Sequence, residues 1–118
     1  MDRRETHEWV GVTGQRYVYS VYKLPADFKP DEHGNYIFAK KGGADNWVPI
    51  YIGQGELKAQ ISDNNPQVKC MREKGATHIH VHLNYTEWAR HSEEHDLLES
   101  HLNVYEPYGC KKEYKKDK

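Results

Sequence analysis

Apolar and polar positions alternate most regularly over Thr77-His78-Ile79-His80-Val81-His82-Leu83. Ile79, Val81 and Leu83 fall on one face and three histidines on the other, which is the period of a β-strand. Tyr17-Val18-Tyr19-Ser20-Val21-Tyr22, ended by Pro25, is rich in β-branched and aromatic residues and reads as another strand. Trp47-Val48-Pro49-Ile50-Tyr51-Ile52 reads as a third, with Pro49 favouring an edge or a bulge. Residues 25–49 read as a long connection broken by Pro25, Pro30, Gly34, Gly42, Gly43 and Pro49. Within it, Tyr36-Ile37-Phe38-Ala39 suggests a short strand after the Gly34-Asn35 turn. An insertion of that size is functional or mobile. Residues 1–16, punctuated by Gly11 and Gly14, form an entry segment of no clear pattern.

Helical spacing takes over between these runs. Leu57 and Ile61 stand four apart after the Gly53–Gly55 turn. Asn65-Pro66 supplies an N-cap and a first-turn proline, Val68, Met71 and Arg72 follow, and Gly75 is a natural stop. Thr86 fits the N-cap of a last helix running to about Leu102. The pattern predicts one α/β domain over 17–110, with a small mixed or antiparallel three-stranded sheet flanked by helices. A tail, 111–118, holds five lysines and is expected to fray.

The last helix carries a misplaced charge. At 100° per residue from Trp88, Leu97, Leu98 and Leu102 fall near about 180°, 280° and 320°. Glu94, near about 240°, and His91, near about 300°, lie inside that stripe. Glu93, near about 140°, and Glu99, near about 20°, lie outside it. An inward carboxylate needs a partner, and a metal ion, a Lys or Arg, or hydrogen-bond donors would each serve.

Composition narrows the class. The chain of 118 residues is one domain's worth, 36% hydrophobic, with nine Tyr and a formal net charge of −1. A protein gripping long duplex by its phosphates is usually more basic. Cys70 and Cys110 form no CxxC pair and read as free thiols in a reducing compartment. The N-terminus has no apolar run of a signal peptide and no stretch approaches a membrane span, so a soluble cytoplasmic protein with no membrane partner is expected.

The order of motifs resembles the GIY-YIG endonuclease family over about Tyr17 to Cys110. Tyr51-Ile52-Gly53-Gln54 is similar to the family's second motif and its common Gln. Tyr17-Val18-Tyr19 resembles variants of the first motif that lack glycine, with Ser20-Val21-Tyr22-Lys23-Leu24 as an alternative register. Leu57-Lys58-Ala59-Gln60-Ile61 fits the helix that follows, except that Gln60 stands where the family has Arg. Glu94, followed by Leu97 and Leu98, resembles the family's helical glutamate. Pro107-Tyr108-Gly109-Cys110 offers no Asn where the family often has one after Pro.

The resemblance implies a nuclease, a metal-binding hydrolase that cuts nucleic acid, DNA first, with Glu94 holding Mg²⁺ or Mn²⁺. It implies Tyr19 as general base and Tyr51 as the residue that orients water or phosphate. Gly53 would lie beside the substrate. A hard cation keeps several waters and needs few carboxylates, so one Glu suffices. A phenol with pKa about 10 must be lowered to act as a base near neutral pH. Gln60 donates hydrogen bonds but no charge, and loss of one electrostatic group commonly costs ~10²–10³ in rate. Lys58 or Arg72 could substitute for it. The alternative is a catalytically impaired nucleic-acid-binding or protein-interaction module on the same fold.

The histidine run raises a second chemistry. Neighbouring members of His78, His80 and His82 stand ~6.6 Å apart on one strand face. Two of them, with His91 or a carboxylate, could ligate Zn²⁺ or Cu²⁺. The commoner explanation is a solvated or helix-covered polar face.

Overall fold

A computed structural model describes residues 5–44 and 46–112. Five strands form one sheet: β1 (Thr6–Val10), β2 (Arg16–Lys23), β3 (His33–Lys41), β4 (Trp47–Glu56) and β5 (His78–Leu83). Their order is β1-β2-β5-β3-β4, and every neighbouring pair is antiparallel. Three helices follow the pattern, α1 (Leu57–Gln60), α2 (Pro66–Glu73) and α3 (Glu87–Ser100), and a 3-10 turn spans Leu102–Val104.

The α/β class holds, but the sheet has five strands where periodicity suggests three. β1 lies in the patternless entry segment and is only five residues long. The larger correction concerns β3. The stretch 25–49 is not chiefly a connection, because it contains a nine-residue strand flanked on both sides by partners. A strand buried on both faces reads as a continuous apolar run and shows no alternation. The glycines that suggest a loop sit at its start and beyond its end. Pro49 behaves as expected. β4 is an edge strand, and its register against β3 shifts where Phe38 pairs Tyr51 and Ala39 pairs Pro49.

Both faces of the sheet are covered. Tyr36, Phe38, Ile79 and Val81 pack with Ile50, Leu57, Met71 and Phe28 under α1 and α2. Trp9, Tyr19, Ile37, Ala39 and Ile52 pack with Leu97 and Val104 on the side of α3. The cap of α2 is as read: the Asn65 side chain accepts from Gln67 N at 3.0 Å, Pro66 opens the helix and Gly75 ends it at φ 89°.

α3 starts after Thr86 but stops at Ser100, so Leu102 lies in the turn beyond it and is exposed. Including Leu102 rotates the inferred stripe away from the true one. The buried residues of the helix are Arg90, Glu93, Asp96 and Leu97. Glu93, placed outside the stripe by the angles, is 4% exposed; Glu94 is only partly buried, and His91 is exposed. Leucines alone misplace this face because the sheet opposite presents hydroxyl and imidazole groups that accept charged partners.

Cys70 and Cys110 are joined by a disulfide, which corrects the reading of two free thiols. It ties α2 to the C-terminal segment. Lys111, assigned by composition to a frayed tail, is fixed by Lys111 N donating to Val104 O at 2.9 Å. The rest of the lysine-rich tail from residue 113 lies outside the described residues. Among the described residues no helix is long and apolar enough to cross a membrane.

Candidate functional site at the edge of the sheet

The β3–β4 hairpin brings two tyrosines to one face. Tyr36 pairs in register with Gly53 and Phe38 with Tyr51, and the Tyr36 and Tyr51 rings stack with centroids 6.2 Å apart. Gly53 is required by this contact. A Cβ there would stand 2.5 Å from the Tyr36 hydroxyl oxygen, so no larger residue fits beneath the ring. The Tyr36 hydroxyl donates to Gln60 Oε1 at 2.7 Å. Asn65 Nδ2 donates to the Gln60 carbonyl at 2.7 Å, which ties the end of α1 to the cap of α2.

Glu94 reaches this edge from α3. Its Oε2 accepts from Lys111 Nζ at 2.9 Å. The same ammonium donates to the Ile52 carbonyl at 3.1 Å and lies 5.0 Å from the centroid of the Tyr51 ring. β4 has no outer strand, so its carbonyls need partners on that side. Cys110 N supplies one by donating to Ile50 O at 2.9 Å, and Lys111 supplies the next. The cluster is therefore Tyr36, Tyr51, Gln60, Glu94 and Lys111, held by β3, β4, α1, α3 and the C-terminal segment.

Tyr36 is buried at 1% exposure. Desolvation first, then the neighbouring Tyr51 and Glu94, holds its phenol well above the ordinary value of 10.0. It is a hydrogen-bond donor at neutral pH and no base.

Tyr19 lies elsewhere. β5 and β3 intervene between its strand and β4, and its hydroxyl donates to Glu93 Oε2 at 2.6 Å. Burial first, then the charge of Glu93, likewise raises its phenol well above 10.0. His82 Nδ1 completes that pair at 2.9 Å from the same carboxylate. Beside it, Asp96 accepts from Tyr17, and from the Thr13 amide and hydroxyl. Lys58 pairs with Asp27 and Arg72 with Asp63, both on exposed surface. Gln54 accepts from the buried Arg90 at 2.9 Å, and Arg90 also donates to Asn84 O at 3.0 Å.

The histidine run divides. His80 is fully buried and accepts from Trp9 Nε1 at 3.0 Å, with Trp47 edge-on at 4.6 Å. Desolvation, then His7 and His78, pushes it down to about 3. It is a neutral core residue. Among the described residues no three His, Cys, Asp or Glu side chains come together as metal ligands.

That bears on the cation expected at Glu94. Its carboxylate is the single acidic group of the cluster and it holds an ammonium. As the side chains stand, the residues do not fit a resident divalent cation, which Lys111 would repel.

Sequence reasoning misses Tyr36 and Lys111. Gly34-Asn35-Tyr36 carries a glycine two residues before a tyrosine, a signal hidden by the assignment of its segment to a loop. Lys111 carries no local signal, since only the fold of the C-terminal segment turns it toward α3. Comparison with family models, curated proteins and solved structures finds no match to this chain.

Proposed function

We propose that this chain is a phosphodiester-directed domain of the GIY-YIG nuclease type that cleaves nucleic acid. The observation that carries the reading is the convergence of Tyr36, Tyr51, Gln60 and Glu94 from four elements onto one edge. In this reading Tyr36, with Gly34 before it, takes the first-motif place that the sequence suggests for Tyr19. Tyr51 and Gln60 orient the phosphate, and Lys111 offers it positive charge. Glu94 gives one oxygen to Lys111, which leaves the other to accept a proton from an attacking water. The water oxygen bonds to phosphorus as the bond to the leaving oxygen breaks, and solvent protonates that oxygen.

The test is incubation of wild type and Glu94→Ala with plasmid, single-stranded DNA and RNA, in Mg²⁺, in Mn²⁺ and in chelator. Cleavage lost in the variant supports the reading. Neither cleavage nor binding of any substrate overturns it. A second reading, binding without cleavage, is favoured by Gln60, which lacks the charge that stabilises a transition-state phosphate. Binding without cutting, with cutting gained in Gln60→Arg, would identify it.

A further inference from the structure

Three features of the site bear on where its positive charge comes from. Gln60 is neutral, Glu94 is an anion, and Arg90 is committed to Gln54 and Asn84 within the fold. Without Lys111 the cluster would carry a net negative charge and repel a phosphate. We infer that the Lys111 ammonium takes, at Glu94, the place of a divalent ion, so that the site receives a nucleic-acid phosphate without metal. This rests on the phosphodiester reading above and sharpens it.

The placement of Lys111 is built. Its own amide donates to Val104 O at 2.9 Å and its carbonyl accepts from Glu106 N at 2.9 Å. The preceding residue is held by the disulfide to Cys70 and by the bond from Cys110 N to Ile50 O. Gly109 has no room for a side chain: a Cβ would meet Val104 O at 2.2 Å. The side chain is 22% exposed and that of Glu94 17%, unlike the open pairs of Lys58 and Arg72. An ammonium has three N–H donors. Glu94 and Ile52 take two, which leaves the third for a further acceptor. A lysine is a point charge for phosphate and serves without the geometric demands of an octahedral ion.

The test has two arms. In the first, free Mn²⁺ is titrated by electron paramagnetic resonance against wild type, Lys111→Met and Lys111→Met/Glu94→Gln. Wild type should leave Mn²⁺ free, Lys111→Met should gain one site, and the double variant should lose it. A site in wild type that Glu94→Gln removes overturns the assignment. In the second, a labelled single-stranded oligonucleotide is titrated in chelator. Lys111→Met should bind at least about tenfold more weakly than wild type, and Lys111→Arg should stay near wild type. Thermal melts confirm that each variant is folded. Oligonucleotide binding by wild type only when Mg²⁺ is present overturns the inference and leaves the proposed function standing. No binding by wild type in either condition overturns the proposed function instead, and the Mn²⁺ arm then decides the place of Lys111 alone.

Discussion

Glu93 and Glu94 are neighbours on one helix and serve two different clusters. Glu93 turns into the sheet, where Tyr19 and His82 enclose its carboxylate. Glu94 turns to the edge of β4, where one ammonium holds it beside Tyr51. Both are carboxylates near a tyrosine. The first is sealed, with each oxygen accounted for by groups of the fold. The second is tethered through a single cation on a C-terminal segment and keeps acceptor capacity toward solvent. A buried and fully bonded carboxylate serves the structure, and a partly open one is available for chemistry.

The tether gives the first way to break this comparison. The disulfide spans a sequence separation of 40, and the chain-entropy estimate for such a loop is about 4 kcal/mol. Cys70→Ala/Cys110→Ala, or reduction, should lower stability in urea by roughly that amount. It should also release Lys111 from Glu94 while leaving the Glu93 cluster intact. The side-chain ammonium signal of Lys111 and the ring signals of His82, followed by NMR, read the two clusters separately. Equal disturbance of both would refute the separation.

The carboxylates themselves come next. Glu93→Ala leaves the Tyr19 hydroxyl and the His82 ring without their partner in a buried place, a loss of about 2–3 kcal/mol. Glu94→Ala leaves a lysine that keeps its bond to Ile52 O and should cost less, about 1–2 kcal/mol. Urea midpoints of the two variants decide the matter. If Glu94→Ala were the more damaging, Glu94 would be the structural residue of the pair.

This asymmetry was only partly legible in the sequence. The strict alternation over β5 and the Asn65-Pro66 cap read directly, because strand period and cap chemistry are local. The Tyr51-Ile52-Gly53 segment also read as a strand and sits at the site. β3 was hidden because a central strand has no polar face to mark its period, and flanking glycines looked like loop. With β3 hidden, nothing local places Tyr36 beside Tyr51, whereas Tyr19 lies with Glu93. Helical angles that include Leu102 place Glu94 inward and Glu93 outward, but Leu102 lies outside the helix and Glu93 is the buried one. What selects Glu94 is Lys111, which is 17 residues away in sequence and meets it only through tertiary contact. The disulfide was unreadable for the same reason.

The smallest expected effect sharpens the comparison through pH. His82 is raised from 6.5, first by its hydrogen bond to Glu93 and then, against the opposing effect of burial, by that carboxylate's charge. The fold therefore favours charged His82. Its contribution is fully present below the unfolded value of 6.5 and is lost as pH rises through the folded value. His82 is 36% exposed, so solvent screening keeps this under about 1 kcal/mol. His80 acts in the opposite sense. It is held neutral down to about 3 by burial, with His7 and His78 facing it, while the unfolded chain takes up a proton below 6.5. Stability from that residue falls as pH drops below 6.5, with a slope of up to about 1.4 kcal/mol per pH unit. The two histidines thus titrate on opposite sides of one pH. Urea midpoints for wild type and His82→Gln should differ fully at pH values just below 6.5 and on further acidification keep that difference, and should converge as pH rises through the folded value of His82, whereas the acid limb from His80 should survive in His82→Gln unchanged. A difference between the two proteins that grows with rising pH would mean that Glu93 does not hold a charged His82. The sealed cluster would then rest on the Tyr19 hydrogen bond alone.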